Sequence, residues 1–257
     1  TAVFAARMAH IARHYRVLTV EDLVERVRQG TAPRNALALT FDDGYRDNLT
    51  HAAPILAQHR LPATIFLATG YIGTPDVPWF DHVALAFKLS RRKDVTLPGC
   101  TPLQLKTEGD RLAGLDFAMN WLKTLPDEER RRAVEQLVAD LEPRGLGRPK
   151  RVMLTWEEVD ALRGLDFSIG AHTVTHPILS RVTPERAREE IQGSKDAIER
   201  TQGVSVRAFA YPNGGPEDYS STTVRLVQDC GFTCAVSTRR GLNGRATPAF
   251  ELRRGGP

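Results

Sequence analysis

Ala36-Leu37-Ala38-Leu39-Thr40-Phe41-Asp42-Asp43-Gly44 decides the reading of the fold: a short apolar run passes directly into a polar turn with two adjacent carboxylates. An uninterrupted apolar run bounded by turn chemistry reads as a strand buried on both faces, the kind that builds parallel sheets. Asp42 and Asp43 then lie just past its carboxyl end. Two neighbouring acids at such a place are costly unless a cation or hydrogen-bond donors compensate them. Consecutive side chains in extended chain point opposite ways, so the two can take different roles about one centre. Asp-Asp-Gly is also ordinary turn chemistry, with Gly44 suited to a left-handed position, and alone the stretch leaves both readings open.

On its amino side, Leu18, Leu23, Val24 and Val27 give the first 35 residues a helical pattern. On its carboxyl side, residues 45–59 read as a helix through Ala53, Ile55 and Leu56, with Pro54 a local irregularity, and residues 63–68 as a second buried strand. The alternation returns at Thr155-Trp156-Glu157-Glu158, which has the form of a capping box. Residues 167–171 follow as a strand, Thr183-Pro184 opens a helix, residues 206–211 form a strand, 218–229 a helix and 232–237 a strand. Strands alternating with helices predict parallel βαβ units, whose chemistry collects at the carboxyl ends of the strands. Three segments fall there: Asp42-Asp43, His172-Thr173-Val174-Thr175-His176, and Tyr211-Pro212-Asn213-Gly214. Between them, residues 79–90 and 102–142 look helical and charged, with loops at Thr96-Leu97-Pro98-Gly99 and Glu142-Pro143-Arg144-Gly145. Residues 74–150 are therefore expected to form a helical insertion within a single catalytic domain spanning 1–257.

Composition excludes more than it assigns. At 257 residues, 41% hydrophobic and 26% charged, the chain can bury a sizeable α/β core. Its longest apolar runs, such as Ala63-Thr64-Ile65-Phe66-Leu67-Ala68, are too short to span a bilayer. A formal net charge of +4 is a mild excess, and no aromatic residues interleave with Arg91-Arg92-Lys93 or Arg130-Arg131-Arg132, so nothing points to nucleic acid. Cys100, Cys230 and Cys234 lack a redox or zinc spacing, and Cys234 reads as a small core residue. No secretory leader is visible in a chain that starts at Thr1 rather than Met.

His172 and His176 give the strand-end acids a purpose. Two histidines four apart can converge on one metal ion, although such a pair taken alone is more often merely hydrogen-bonded. Pro177 disfavours helical backbone at His176, so the pair is expected in a strand-to-helix loop. With a carboxylate from another strand end, one Asp and two His could bind a metal and leave positions open for water and substrate.

These residues resemble the polysaccharide deacetylases with a NodB homology domain, carbohydrate esterase family 4. Thr40-Phe41-Asp42-Asp43-Gly44 is similar to the family's first motif, His172-Thr173-Val174-Thr175-His176 to its second, and Phe209-Ala210-Tyr211-Pro212-Asn213-Gly214 to its third. Leu61-Pro62-Ala63-Thr64-Ile65-Phe66 and Ile169-Gly170-Ala171 match the flanking sequence. The resemblance implies an α/β fold, a distorted and incomplete (β/α) barrel, and removal of N-acetyl groups from an N-acetylhexosamine-containing glycan. It makes Asp43, His172 and His176 the ligands of one divalent metal ion, zinc in most members. Asp42 becomes the general base and the Asn213 backbone N–H an oxyanion donor. Tyr211, Pro212 and Trp79 are the candidate substrate contacts, with core filling the commoner use of a Trp at a helix start.

An O-acetyl or lipid-linked sugar deacylase, or a sugar-binding member without catalysis, would carry the same motifs. The resemblance suggests the cell envelope, while the absence of a visible leader leaves the cytoplasm and the oligomeric state open. Two departures stand out. The family's third-motif Arg, which orients the base, is Ala210 here, with Arg207, Arg253 and Arg254 as possible replacements. The His of the family's last motif, its general acid, is missing from Glu251-Leu252-Arg253-Arg254, so the acid is unassigned or Asp42 itself returns the proton.

Overall fold

The computed structural model describes residues 1–144 and 151–255. Gly145, placed in an expected loop, and the rest of 145–150 lie outside that description. The chain divides into two compact units, Thr1–Thr74 with Arg151–Pro257, and Pro75–Lys150.

In the first unit, α1 (Ala2–His14), β1 (Arg16–Leu18) and α2 (Val20–Gln29) precede β2 (Ala36–Ala38) and β3 (Thr40–Phe41). The expectation of continuous helix before residue 35 is therefore corrected at Leu18: residues 16–18 pair in parallel with 36–38 as a separate two-stranded sheet. Thr19 interrupts the helical run, because its hydroxyl accepts the Asp22 N–H at 3.2 Å and caps α2. The expected strand over 36–39 ends at Ala38 and pairs with β1, while Thr40–Phe41, expected in the turn that ends it, forms β3 and enters the main sheet. After it, residues 48–52 form a wide π-type turn that leads into α3 (Ala53–Gln58), with Pro54 in its first turn, where a missing N–H costs nothing. β4 (Ala63–Leu67) is buried at all five positions, as its sequence demands.

The second unit holds α4 (Trp79–Leu89), the short antiparallel pair β5 (Asp94–Val95) and β6 (Leu103–Gln104), α5 (Glu108–Thr124) and α6 (Asp127–Asp140). The expected helix over 102–142 is thus a hairpin strand and two helices, broken at Leu125-Pro126. This unit has its own core, including Val83, Phe87, Leu97, Leu105, Leu122 and Leu137.

Back in the first unit come α7 (Trp156–Arg163), β7 (Phe167–Ala171), α8 (Pro184–Gln202), β8 (Ala208–Ala210), α9 (Ser221–Asp229) and β9 (Cys234–Val236). The capping box at α7 is made in both directions: Thr155 Oγ1 accepts the Glu158 N–H at 3.2 Å, and Glu158 accepts the Thr155 N–H at 3.0 Å. Strands β3-β4-β7-β8-β9 form one sheet in that order, every pair parallel, which is the incomplete (β/α) barrel the motifs imply.

Alternation within the strands explains the packing on either side of this sheet. Ile65, Leu67, Ile169, Ala171, Phe209 and Ala235 join the core with α7, α8 and α9, whereas Phe66, Ala208, Ala210, Cys234 and Val236 pack with Val20 and Val24 of α2. Each large aliphatic or aromatic side chain buried this way contributes roughly 1.5–3 kcal/mol. No helix among the described residues is long and apolar enough to cross a membrane.

Candidate metal centre

Asp42 and Asp43 follow β3 directly. Asp43 adopts φ 72 and Gly44 φ 90, a reversal that turns Asp43 away from its neighbour. The left-handed backbone calls for glycine at 44, and a Cβ there would also press on the Ile72 and Leu67 side-chain ends, 2.6 Å from Cδ1 and 3.1 Å from Cδ2. The turn is tied down by Ala68 N–H on Asp43 O at 3.3 Å and Leu154 N–H on Gly44 O at 3.0 Å.

His172 leaves the end of β7 with its N–H on Leu67 O at 2.9 Å. Four residues on, His176 has φ 55, so the pair occupies a loop and not a helix. Both side chains are almost completely buried, at 2% and 6% exposed. Their Nε2 atoms lie 3.5 and 3.3 Å from the same oxygen, Asp43 Oδ1. The ends of β3 and β7 thus bring Asp43, His172 and His176 together.

Backbone strain marks the same place. Seven non-glycine residues among those described have positive φ, and four of them, Asp43, Thr173, His176 and Asn213, belong to the three motifs. Each costs on the order of 1–3 kcal/mol, and such strain tends to collect at functional sites.

Electrostatics then decides what the cluster can hold. Burial pushes the Asp43 carboxyl up, but His172, His176 and Arg254 together bring it below the usual range. Burial opposes charge on His172, yet Asp43 and Asp42 raise it above the ordinary value. His176 is pushed down to about 4 by burial and by the neighbouring His172. His172 Nδ1 lies 2.7 Å from Ala210 O, and a carbonyl can only accept, so the neutral ring carries its hydrogen there. Its Nε2 therefore presents a lone pair toward Asp43 Oδ1, a buried oxygen that accepts no hydrogen bond among the described residues. Acceptor faces acceptor, an arrangement that a proton or a cation between them would relieve. One carboxylate and two imidazoles, with donor atoms all within 4.8 Å of one another, fit a divalent cation and leave coordination positions open.

Asp42 faces elsewhere. Arg254 Nη1 donates to its Oδ1 at 2.8 Å, while Arg254 Nε donates to Ser237 O at 2.9 Å. Of the three arginines considered for the place left by Ala210, this is the one that reaches Asp42. It arrives because Leu252 bridges in parallel to Val236, extending the chain beyond β9 as a further extended segment. The pair is only 16% and 29% exposed, so solvent screens it less than a surface ion pair.

Asn213, past β8, has φ 57, and its carbonyl accepts the Thr238 hydroxyl at 2.7 Å. Its backbone N–H makes no hydrogen bond among the described residues. Tyr211 requires a correction. Expected against substrate, its ring is fully buried, stacks on Tyr219 at 4.1 Å and donates its hydroxyl to Phe250 O at 3.0 Å, which leaves no face for a sugar. Pro212 is buried beside it. Trp79 lies in the second unit, packed on that unit's core with the Arg130 guanidinium 5.0 Å above its ring. Glu190 carries no motif signal in the sequence, yet it is 1% exposed and bonded to the loop between the histidines.

Comparison with known proteins agrees with this fold. The polysaccharide deacetylase family profile matches residues 29–235. YxkH of Bacillus subtilis (strain 168), whose name places it among the polysaccharide deacetylases, is 20% identical over 241 residues, 93% of this chain and 58% of its own length. The chain therefore spans little more than half of that relative. Among solved structures, the Streptococcus pyogenes deacetylase PplD in complex with acetate superposes with a TM-score of 0.64 at 19% identity, over 98% of this chain and 78% of that one. IcaB from Ammonifex degensii gives 0.61 at 18% identity, over 98% and 82%. At such identities the structures establish the fold, and the profile match, covering most of the sequence, establishes kinship. The chain belongs to the polysaccharide deacetylase family.

Proposed function

We propose that this chain is a metal-dependent hydrolase that removes N-acetyl groups from an N-acetylhexosamine-containing polysaccharide or oligosaccharide. The observation that carries the reading is the buried Asp43 Oδ1, unbonded and faced by two imidazole Nε2 atoms, beside a second carboxylate that is held independently. Asp43, His172 and His176 would hold the cation, zinc by the character of the donor set. When bound, it polarises the acetyl carbonyl and lowers the pKa of a water toward ~7.

The chain's own groups do the rest. Asp42 is the general base: Arg254 engages its Oδ1, leaving Oδ2 to take the proton of the attacking water. His172 keeps its ring oriented through Nδ1–H on Ala210 O, which directs Nε2 inward. The Asn213 N–H is the donor assigned to the oxyanion that forms on the acetyl carbonyl. Asp42, protonated in the first half of the reaction, then delivers that proton to the departing amine.

A second reading has one observation in its favour. All seven histidines lie at or before His176, so the C-terminal part of the chain contributes no imidazole acid. An alkoxide leaving group needs less help from an acid than an amine does, which suits O-acetyl ester cleavage. Acetate release from chitooligosaccharides, peptidoglycan fragments and acetylated xylan separates the two. Turnover of the N-acetylated substrates supports the first reading; turnover of acetyl esters alone overturns it in favour of the second.

A further inference from the structure

We propose that Glu190 is a positioning residue for the imidazole pair: its carboxylate fixes Val174 and Thr175, between His172 and His176, and so sets the approach of the two ring nitrogens to a bound cation. The inference rests on the reading of Asp43, His172 and His176 as metal ligands.

Glu190 lies in the middle of α8 and is buried. Its Oε2 accepts the N–H groups of Val174 and Thr175 at 2.8 and 2.7 Å. Its Oε1 accepts the Thr175 hydroxyl and Arg186 Nη2, both at 2.6 Å. Four donors converge on one carboxylate, which compensates its burial, and two of them are loop peptide groups with no helix or strand to serve them.

The opposite side of the same peptides is held as firmly. Thr69 N–H donates to Thr173 O at 3.1 Å, Gly70 N–H to Val174 O at 2.8 Å, and the Tyr71 hydroxyl to Thr175 O at 3.0 Å. Gly70 is needed for this approach, since a Cβ there would lie 2.8 Å from Val174 O. Thr173 Oγ1 accepts the His176 N–H at 3.1 Å and donates to His172 O, closing the loop on itself. Thr173 and His176, the residues flanking Val174 and Thr175, are the two with positive φ. A loop strained at both ends keeps its shape only if its middle is over-determined, and Glu190 supplies half of that restraint. Ligand distances must hold within about 0.2 Å, so a shift of this loop is felt directly as metal affinity.

The test is metal binding, independent of turnover. Zinc is titrated into metal-free protein against a chromogenic chelator, and cobalt(II) uptake is followed by its d–d absorption, for wild type, Glu190→Gln and Glu190→Asp. Glutamine keeps the reach and one acceptor for the two N–H groups, so its affinity is expected within about threefold of wild type. Aspartate keeps the charge but is one methylene short, and is expected to bind roughly 10–100-fold more weakly with shifted cobalt bands. A purely structural role would lower the melting temperature of metal-free Glu190→Asp while leaving affinity and bands unchanged; that result overturns the proposal. Should Glu190→Asp not fold, Gly70→Ala presses the same loop through Val174 O. A loss of about tenfold or more there supports the proposal, and full affinity overturns it. If wild type itself takes up neither metal, the ligand assignment fails and this inference with it; uptake by wild type matched by every variant sinks the Glu190 role alone.

Discussion

Arg254 Nη1 donates to Asp42 Oδ1 at 2.8 Å, joining a residue near the C-terminal end of the described chain to the first acid after β3. The guanidinium is anchored from its other edge by Ser237 O, so it offers Asp42 a fixed direction as well as a charge. A pair this sheltered orients the Asp42 carboxylate without a hydrogen bond to Asp43, His172 or His176, although the Arg254 charge adds to the lowering of the Asp43 carboxyl.

Replacing Arg254 should therefore affect turnover and spare metal binding. Charge-assisted hydrogen bonds contribute ~1.5–3 kcal/mol, so Arg254→Ala is expected to lower kcat by about 10–100-fold. Zinc affinity should stay near the wild-type value. Arg254→Lys, lacking the second anchored edge, should recover only part of the loss. Unchanged kcat in Arg254→Ala would mean that Asp42 needs no such partner.

Asp42→Asn is expected to retain the metal and lose about 10²–10⁴-fold in activity, the range for removal of a general base. Metal analysis of the purified variant beside its acetate-release rate checks both halves. Wild-type turnover would remove Asp42 as the base.

Asp43→Ala and His176→Ala would each leave two of the three proposed ligands. Zinc at about 100 times its Kd should raise the wild-type melting temperature by about 5–10 °C, through mass action on the folded state. Neither variant should show that rise. Equal zinc-induced shifts in wild type and variants would place the bound ion elsewhere.

The three free thiols should differ sharply in reactivity. Burial pushes the Cys234 thiol up to about 12, with Glu21 adding to the effect, and burial also raises Cys230. Cys100 is partly exposed. At pH 8 a thiol-specific reagent should label Cys100 alone in native protein, and all three after unfolding. The sign of the pH effect follows: the unfolded Cys234 thiol ionises near 9 while the folded one stays protonated to about 12. Stability from this group is thus level below pH 9 and falls as pH rises across that window. Labelling of Cys234 in the native state would contradict its burial beneath α2.

Contiguous features were legible in the sequence, and long-range ones were not. β4 and β7 stand within a residue of where their apolar runs place them, because strands buried on both faces admit few other residues. The histidine pair is legible as a loop because Pro177 disfavours helix before it. β1, at three residues, is too short for any period to show, and its Leu18 also suits a helix. Arg254 was one of three arginines until the Val236–Leu252 bridge fixed where the chain returns. Glu190 gave no signal at all, since burial of one acid in a charged helix depends on what the helix packs against. Tyr211 was misjudged for a related reason: a motif position places the backbone, while the side chain's direction follows from the strand's alternation into the core.

The central claim is that Asp43, His172 and His176 bind a divalent ion that this chain needs to release acetate from an N-acetylated sugar. The most direct test measures acetate from N-acetylglucosamine oligomers before chelation, after chelation, and after zinc is restored one equivalent at a time. Activity should vanish on chelation and return to a plateau at one zinc per chain in wild type, and should not return in Asp43→Ala. Acetate release that survives complete removal of metal, or that zinc restores equally in Asp43→Ala, would contradict the account.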